Sequence, residues 1–452
     1  MKQNLYKFLI LSALTLGVGV IFTPSSAKAA LPGEDGVLVS TELQSEPDSE
    51  SSNTAVVTTN PETGSSQVIA TGTPEVSAIT SATVSAPVGT SPSNQTNTVM
   101  YAETALSCVN EEEFEKLDKS CNQSQTVTYN SVKIDVNGAK VSDITPVATV
   151  GAEDNLSTNI VLDMSYSPDG TNAIATRYTR SHSEGGSEAT RIERVGADGT
   201  VTNVINPTND GYLNAGYGAN GNIYFSMTHA VGDGEFPSYN SDLFMIEAGK
   251  TYTDRIQITD TPDYDEVFIN VAPDVSKVLV YSFGNNEEYP SSYSYVNLAN
   301  TCWLTAAKCS VDVLLPTSNS DTYLATFSPK GTRLAGVDDP EYSEEYSFTD
   351  RVGVQQDSDL SLYDTVMANV THNLRTTSVI YGQFARDIIP QVDWAPKLAV
   401  ATTVENPITT TASVVTPSTT ARLANTGVNS YIFVAIAVLF VAAGVAALPK
   451  NN

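Results

Sequence analysis

One short pattern recurs in the middle of the chain and restricts its fold more than any other feature. The segment DMSYSPDGTNAIATR at 163–177 returns as YLATFSPKGTRLAGV at 323–337. In both copies an aromatic residue and a serine precede a proline, and a glycine follows two positions later. Proline presets φ for a turn and glycine tolerates positive φ, so each copy predicts a strand, a tight turn and a second strand.

Weaker copies of the same pattern lie between and after these two. The aligned triplets are Tyr166-Ser167-Pro168, Tyr217-Gly218-Ala219, Val271-Ala272-Pro273, Phe327-Ser328-Pro329 and Trp394-Ala395-Pro396. The turn residues that we assign to the motif are Pro168, Asp169, Gly170, Pro273, Asp274, Pro329 and Gly331, with Val275 replacing glycine in one copy. Successive copies are about 50 to 70 residues apart, which suits one four-stranded propeller blade each.

These segments resemble the PD40 (WD40-like) repeats of TolB-type β-propellers over residues 126–402. The resemblance implies an all-β β-propeller, in which we count five blades and leave a sixth open. Two predicted strands at 126–146 precede the first motif, and the last motif has no room for its outer strands. We therefore expect N-terminal strands to complete the C-terminal blade. A β-sandwich built from the same strands is the alternative.

The segments around the repeats differ in composition. Residues 30–100 are rich in Ser, Thr, Pro, Gly and Glu, which predicts a disordered linker. Residues 101–125 are expected to form a short helical lead-in, because acidic residues follow Asn110, a helix-capping type. The Thr- and Pro-rich segment 403–422 is typical of an extended stalk.

Four cysteines suggest two disulfides in an exported chain. Three pairings are open, and the spacing favours the local one, Cys108 with Cys121 and Cys302 with Cys309. The first bridge requires the residues after Asp118 to fold back, since three helical turns separate their ends by more than a disulfide spans.

The N-terminus reads as a secretory signal peptide, residues 1–29. Lys2 and Lys7 precede an apolar run, and Ala27-Lys28-Ala29 forms a small-x-small cleavage site. An N-terminal membrane anchor is the alternative, although the apolar run is short for a bilayer.

The C-terminal end, 423–452, combines a pentapeptide with an apolar run at 431–448 and a short tail. The pentapeptide consists of Leu423, Ala424, Asn425, Thr426 and Gly427. This arrangement resembles the LPXTG-type cell-wall sorting signal, in a form with Ala in place of Pro. The resemblance implies that a sortase cleaves between Thr426 and Gly427 and joins the chain to the cell envelope. A plain C-terminal transmembrane anchor is the alternative, since eighteen apolar residues just cross a bilayer as a helix.

The charge of the chain excludes one class of partner. A formal net charge of −28 repels nucleic acid phosphates, so no nucleic acid partner is expected. Three acidic loops, 231–242, 259–266 and 337–350, offer oxygen atoms that could bind Ca²⁺, but none has the spacing of a twelve-residue calcium loop. We therefore predict no cofactor and regard solvated surface charge as the main interpretation of these loops.

No catalytic motif is recognisable in the sequence. No G-x-S-x-G or H-E-x-x-H occurs, and the only histidines are His182, His229 and His372. Two of them follow predicted inner strands, so neighbouring blades could bring His182 and His229 to one rim, but two histidines alone are a weak metal site.

The sequence thus predicts a secreted, surface-anchored β-propeller that acts as a binding or adhesion module for protein or glycan. Tyr264, Tyr342 and Tyr346 in the acidic loops could contribute to a recognition surface. The alternatives are an extracellular enzyme, such as a polysaccharide lyase or hydrolase with a site at the rim, and a structural envelope component.

Overall fold

The middle of the chain consists of strands joined by short turns. The computed structural model describes residues 36–45, 52–72, 77–89, 92–105, 126–151, 157–181, 188–208, 214–231, 238–284, 290–316, 322–338, 341–342, 352–384 and 387–397. Within these ranges the only helices are 3-10 turns at Pro92–Asn94, Tyr252–Asp254 and Ala299–Leu304. The predicted all-β class is therefore confirmed. None of these described helices has the length and apolar character needed to cross a membrane.

The described strands form four antiparallel sheets of four strands and one ten-stranded antiparallel sheet. We divide the ten-stranded sheet into a unit of four strands and a unit of six, which gives six units. Unit 1 contains β1 (Gly36–Ser45), β2 (Ser52–Thr59) and β3 (Ser66–Thr71), together with β26 (Val392–Pro396) from the far end of the sequence. Unit 2 contains β4 (Ser77–Val84), β5 (Thr96–Ala105), β6 (Val127–Asp135) and β7 (Thr145–Val150). Unit 3 contains β8 (Ser157–Tyr166), β9 (Asn172–Ser181), β10 (Glu188–Gly196) and β11 (Val201–Thr208).

The remaining units follow the same order. Unit 4 contains β12 (Asn214–Tyr217), β13 (Ile223–Val231), β14 (Ser238–Ile246) and β15 (Ile256–Gln257). Unit 5 contains β16 (Tyr264–Val271), β17 (Lys277–Gly284), β18 (Ser292–Asn297) and β19 (Val311–Pro316). Unit 6 contains β20 (Tyr323–Phe327), β21 (Arg333–Asp338), β23 (Val352–Asp364) and β24 (Val370–Phe384), with the short strands β22 (Glu341–Tyr342) and β25 (Asp387–Pro390) paired to β23 and β24.

In units 3 to 6 the repeated motif forms the turn between the first and second strands, whereas its last copy, Trp394-Ala395-Pro396, forms the end of β26. In unit 3 the Ser167 amide donates to the Asn172 carbonyl over 2.8 Å, and Gly170 has φ +68°. Asp169 Oδ1 accepts hydrogen bonds from the Ser167 hydroxyl and the Thr171 amide, at 2.7 and 3.0 Å. The local side-chain acceptor and the left-handed glycine together explain why this pattern recurs.

The other strong copies occupy equivalent turns. Pro329 and Gly331 lie between β20 and β21, and Gly331 has φ +68°. Pro273 and Asp274 lie between β16 and β17, where Asp274 Oδ1 accepts from the Ser276 amide at 3.0 Å. Val275, in place of glycine, takes φ +58° there, a conformation that costs a β-branched residue more than it costs glycine.

The six first strands contact one another in a closed cycle. β4 lies beside β8, β8 beside β12, β12 beside β16, β16 beside β20, β20 beside β26, and β26 returns to β4. Side chains join some neighbours: the Tyr166 amide donates to Thr83 Oγ1 at 3.2 Å, and the Tyr217 amide donates to Ser165 Oγ at 2.9 Å. Several four-stranded antiparallel sheets in this order make the fold propeller-like.

The strands that complete the last unit differ from those expected. β26 pairs with β1 in antiparallel register, from Gly36 opposite Pro396 to Ser40 opposite Val392. The pair at 126–146 belongs instead to unit 2, where β6 pairs with β5. N-terminal strands do complete the unit that contains β26, as predicted, but they are not the pair at 126–146. That pair belongs to unit 2, whose other two strands lie mostly in the segment predicted to be a linker.

The prediction that 30–100 is disordered is wrong for its described part, which supplies β1 to β4 and half of β5. Serine and threonine lower the hydrophobicity of this segment, but many of them are buried and hydrogen-bonded. Thr58 Oγ1 donates to the Gly138 carbonyl at 2.9 Å, and Thr54 Oγ1 accepts from the Ile79 amide at 2.6 Å. Burial of a polar group is tolerated when it is paired, so low hydrophobicity did not prevent folding here.

The predicted local disulfide Cys302–Cys309 is confirmed, and it closes a loop around Trp303. Trp303 packs against an apolar cluster that also contains Cys309. Other predictions fall on residues outside the described ranges. These are the signal peptide 1–29, the helix and the Cys108–Cys121 bridge, the stalk 403–422, and the sorting motif with its apolar run. Of the lead-in 101–125, residues 101–105 are the second half of β5 rather than a helix.

Candidate functional site

A polar cleft opens at the middle of the ring, among the first strands of the units. It is a small, partly open cavity of about 30 Å³. The first strands of all six units line it, together with the end of β25 and Gln391, which connects β25 to β26. Its polar lining residues are Asp163, Ser165, Asn270, Gln391 and Asp393.

The repeat itself places most of these side chains. Ser165, Gly216, Asn270 and Asp393 each stand one residue before the motif triplet of their unit, and all four line the cleft. Because the triplet fixes where these first strands end, the residue before it reaches the same level of the ring in units 1, 3, 4 and 5. Sequence reasoning missed these positions, although the variable residue preceding each triplet was the signal that could have revealed them.

Gly216 leaves room for an aromatic wall of the cleft. A Cβ atom at this position would lie 2.7 Å from Cζ of Phe268, closer than real Cβ contacts. Phe268 is held by its own backbone, since its carbonyl accepts from Asn214 Nδ2 at 2.7 Å and its amide donates to Ser226 Oγ at 3.1 Å. The glycine therefore lets the Phe268 ring pack beside the cleft.

Asp393 and Gln391 are held in fixed positions by hydrogen bonds. Asp393 Oδ2 accepts from Thr83 Oγ1 at 2.8 Å and from the Val84 amide at 3.0 Å. Gln391 accepts from Ser81 Oγ at 2.6 Å and donates to the Leu162 carbonyl at 2.6 Å. The last part of the chain is thereby tied to units 2 and 3.

Two carboxyl groups dominate the electrostatics of the cleft. Burial raises the pKa of Asp163 well above its ordinary value, and the negative charge of Asp393 raises it further. Burial likewise raises the pKa of Asp393, against the hydrogen bonds that it accepts. No basic side chain lines the cleft, and neither carboxylate forms an ion pair with any residue in the described ranges. The cleft therefore favours a cationic group or a hydrogen-bond donor.

The possible pair of His182 and His229 lies partly outside the described residues, and the structure places only His229 and His372. His229 lies on β13, near the end remote from the motif turn, with Nε2 3.3 Å from Asp242 Oδ2. His372 lies on β24, the outermost strand of unit 6. His182 lies outside the described residues. Among the residues that the structure describes, no three His, Cys, Asp or Glu side chains are grouped so as to hold a metal ion.

Two of the acidic loops are brought together. Asp242 from 231–242 and Glu266 from 259–266 meet between units 4 and 5, where Thr259 Oγ1 lies 3.3 and 3.1 Å from their carboxyl oxygens. Both carboxyl groups are fully buried. Tyr264 begins β16, Tyr342 belongs to β22, and Tyr346 lies outside the described ranges.

Comparison with known proteins finds structural similarity at low sequence identity and no sequence match. No protein-family model matches the sequence, and no curated protein matches it. The chain is similar in structure to prolyl oligopeptidase B from Galerina marginata, with 8% identity, a TM-score of 0.36 and coverage of 77% of this chain and 47% of that one. The Synechocystis apocarotenoid oxygenase mutant Glu150Asp has 14% identity and a TM-score of 0.37, with coverage of 79% of this chain and 74% of that one. The parainfluenza virus 5 hemagglutinin-neuraminidase ectodomain has 10% identity and a TM-score of 0.39, with coverage of 88% of this chain and 96% of that one.

The chain spans about half the length of the first two peptidases that it matches, 47% and 51%. These neighbours with propeller folds include enzymes, but the identities are very low and no catalytic motif is evident in the described part of this chain.

Proposed function

We propose that the chain is a six-bladed β-propeller of the TolB type, exported and anchored at a cell surface, which binds partner proteins by taking a basic side chain into its central cleft. The six units, each with its first strand in the cyclic contact order, support the blade number. The PD40-like turn motifs support the TolB relationship. The signal-peptide pattern and the LANTG-containing end support export and anchoring.

The observation that carries the binding function is the pair Asp163 and Asp393. Two carboxyl groups line one cleft with no basic partner in the described chain. Burial raises the pKa of both, so their ionisation is unfavourable until a cation arrives to stabilise the charged form. A lysine side chain supplies a single ammonium charge on a narrow stem, which suits a small opening. The net charge of −28 would steer basic partners toward the surface and raise their association rate.

Titration of the full chain with a tri-lysine peptide tests this function. We expect saturable binding, and we expect Asp163→Asn or Asp393→Asn to weaken it about 30-fold, which corresponds to about 2 kcal/mol lost from a charge pair in the cleft. The measurement is isothermal titration calorimetry at low salt, with circular dichroism as the check of folding.

Two controls keep the result specific. Asp260→Asn removes an exposed acid outside the cleft and should leave affinity unchanged. The same peptide with acetylated lysines should not bind. Equal affinities in the Asp163, Asp393 and Asp260 variants would show that the peptide binds elsewhere and would overturn the assignment of the cleft.

Anchoring is tested on the protein released from its own cells by wall-digesting enzymes. We expect mass spectrometry to find a C-terminal peptide that ends at Thr426 and carries an envelope fragment. Replacement of Thr426 by alanine should release the protein into the medium or leave it in the membrane fraction. Recovery of a peptide that extends to Asn452 as the main species would contradict sortase processing.

A further inference from the structure

A buried group of side chains joins units 4 and 5, far along the strands from the motif turns. Asp242 lies on β14, Glu266 on β16, and Thr259 and Thr261 on the connection between units. Both carboxyl side chains have 0% exposure. We call these four residues the carboxyl cluster. It plays no part in the central cleft and is independent of the proposed function.

The two threonine hydroxyls of the carboxyl cluster supply one proton fewer than its two buried carboxyl groups need for hydrogen bonding. Thr259 Oγ1 lies 3.3 Å from Asp242 Oδ1 and 3.1 Å from Glu266 Oε2, and Thr261 Oγ1 lies 3.5 Å from Asp242 Oδ1 while it also contacts Glu266 Oε1. A hydroxyl carries one proton, so each threonine can donate to only one of the two carboxyl groups. Two buried carboxyl groups therefore share the same two hydroxyl protons, and one of the carboxyl groups must carry a proton of its own if neither is to be left as an unpaired buried charge.

The surroundings identify which group holds the proton. Asp242 accepts further hydrogen bonds from Gln257 Nε2 at 3.0 Å and from the Thr261 amide at 3.2 Å, and His229 Nε2 lies 3.3 Å away. Glu266 has only the two threonine hydroxyls and Asp242. A carboxylate with several donors is stabilised in its charged form, so Asp242 is the acceptor and Glu266 the proton donor.

The charges around the pair do not neutralise it. Asp265 on β16 adds a further carboxyl, which accepts from the Ser241 amide at 2.6 Å, and Asp260 and Asp263 are exposed on the connection. His229 on β13 is the one basic group in contact, and in the described chain no lysine or arginine forms an ion pair with either buried carboxyl. Burial is the main cause that raises the pKa of Glu266 well above its ordinary value, with the charge of Asp242 adding to it.

We propose that Asp242 and Glu266 hold one proton between them and that this proton latches unit 4 to unit 5. Loss of the proton leaves two buried negative charges beside the same two threonine hydroxyls. These charges repel each other and open the contact between β14 and β16. The end of the β13–β14 hairpin that carries His229 is released with it. The propeller-like ring thereby contains one junction that weakens as pH rises.

The sign of the effect follows from the raised pKa. The folded state holds the proton at pH values where the unfolded chain has lost it, so this stabilisation is complete below the ordinary carboxyl pKa. It is lost as pH rises through the folded pKa of Glu266. Over that window the unfolding equilibrium constant of the unchanged protein should rise by up to about tenfold for each pH unit.

Glu266→Gln in the full chain tests the latch, because the amide donates to Asp242 at every pH. The slope of the free energy of unfolding against pH counts the protons exchanged on unfolding. We expect this slope to correspond to one proton fewer in the variant, while Asp163 and Asp393 contribute equally to the slopes of both proteins. The exposed Asp263→Asn serves as the matched control and should keep the original slope. An unchanged slope in Glu266→Gln would overturn the proposal.

A second measurement uses the unchanged protein, in case the variant does not fold. The carboxyl carbon of Glu266, assigned by carbon-13 NMR, should titrate at a pH above the ordinary glutamate range. Amide hydrogen exchange in β14 should accelerate over the same pH range more than exchange in β9. Titration of Glu266 in the ordinary glutamate range would contradict the proposal whatever the variant does.

Discussion

Replacement of Arg177 by alanine is expected to lower the free energy of unfolding by about 3–5 kcal/mol, the usual cost of removing one partner from a buried ion pair. Arg177 is 2% exposed and donates through Nε and Nη2 to the two carboxyl oxygens of Glu193, at 3.0 and 2.6 Å. Its Nη1 donates to Asn159 Oδ1 at 2.6 Å, and the Tyr129 hydroxyl reaches Glu193 at 3.4 Å. The alanine variant would leave the carboxylate of Glu193, which is as buried as Arg177, without its arginine partner. Denaturant unfolding at neutral pH measures the loss.

Two further variants separate charge from packing. Arg180→Ala removes an arginine whose 3.6 Å pair with Glu188 is largely exposed, and it should cost less than about 1 kcal/mol. The double replacement Arg177→Met with Glu193→Leu should recover much of the stability, since no unpaired charge remains. A cost below 1 kcal/mol for Arg177→Ala would mean that water reaches Glu193 and that the pair does not hold β9 to β10.

Removal of residues 36–72 is expected to abolish cooperative unfolding of the chain. Without β1 to β3, unit 1 retains only β26, and the ring of first strands loses the sheet that supports its last member. Leu38, Val39 and Val56 are all fully buried, and each contributes about 1.5–3 kcal/mol. A segment of this size therefore outweighs a typical total stability of about 5–15 kcal/mol. Calorimetry should show no two-state transition for the shortened chain.

Point variants give the same test without a deletion. Leu38→Ala should cost about 2–5 kcal/mol, because Leu38 is packed in the same apolar cluster as Trp394 from the other end of the chain. Val68→Ala in the same segment should change stability by less than about 0.5 kcal/mol, since Val68 is 51% exposed. If the shortened chain unfolded like the intact one, residues 36–72 would be the dispensable linker that composition suggested.

The central cleft was the part of the molecule least accessible to sequence reasoning. Asp163 begins the first motif copy and Asp393 directly precedes the last triplet, but nothing local indicates that they face one cleft. Their approach depends on the contacts of β4 with β8 and of β26 with β4, and the second of these joins strands about 300 residues apart in the sequence. Likewise, the acidic loops were recognised as carboxyl-rich, yet only packing decides that Asp242 and Glu266 are buried while Asp260 stays exposed.

The sequence by itself determined the strand class, the position of the repeated turns and the Cys302–Cys309 bridge. Each of these depends on backbone preferences or contacts within a few residues, such as the positive φ of Gly170 and the side-chain acceptor at Asp169. Only the tertiary structure decided that β1 pairs with β26, that serine and threonine of the N-terminal segment are buried, and which carboxyl groups lose water. The reason is that pairing and burial depend on partners hundreds of residues away, and the same polar side chain is costly when buried alone and tolerated when it finds a hydrogen bond.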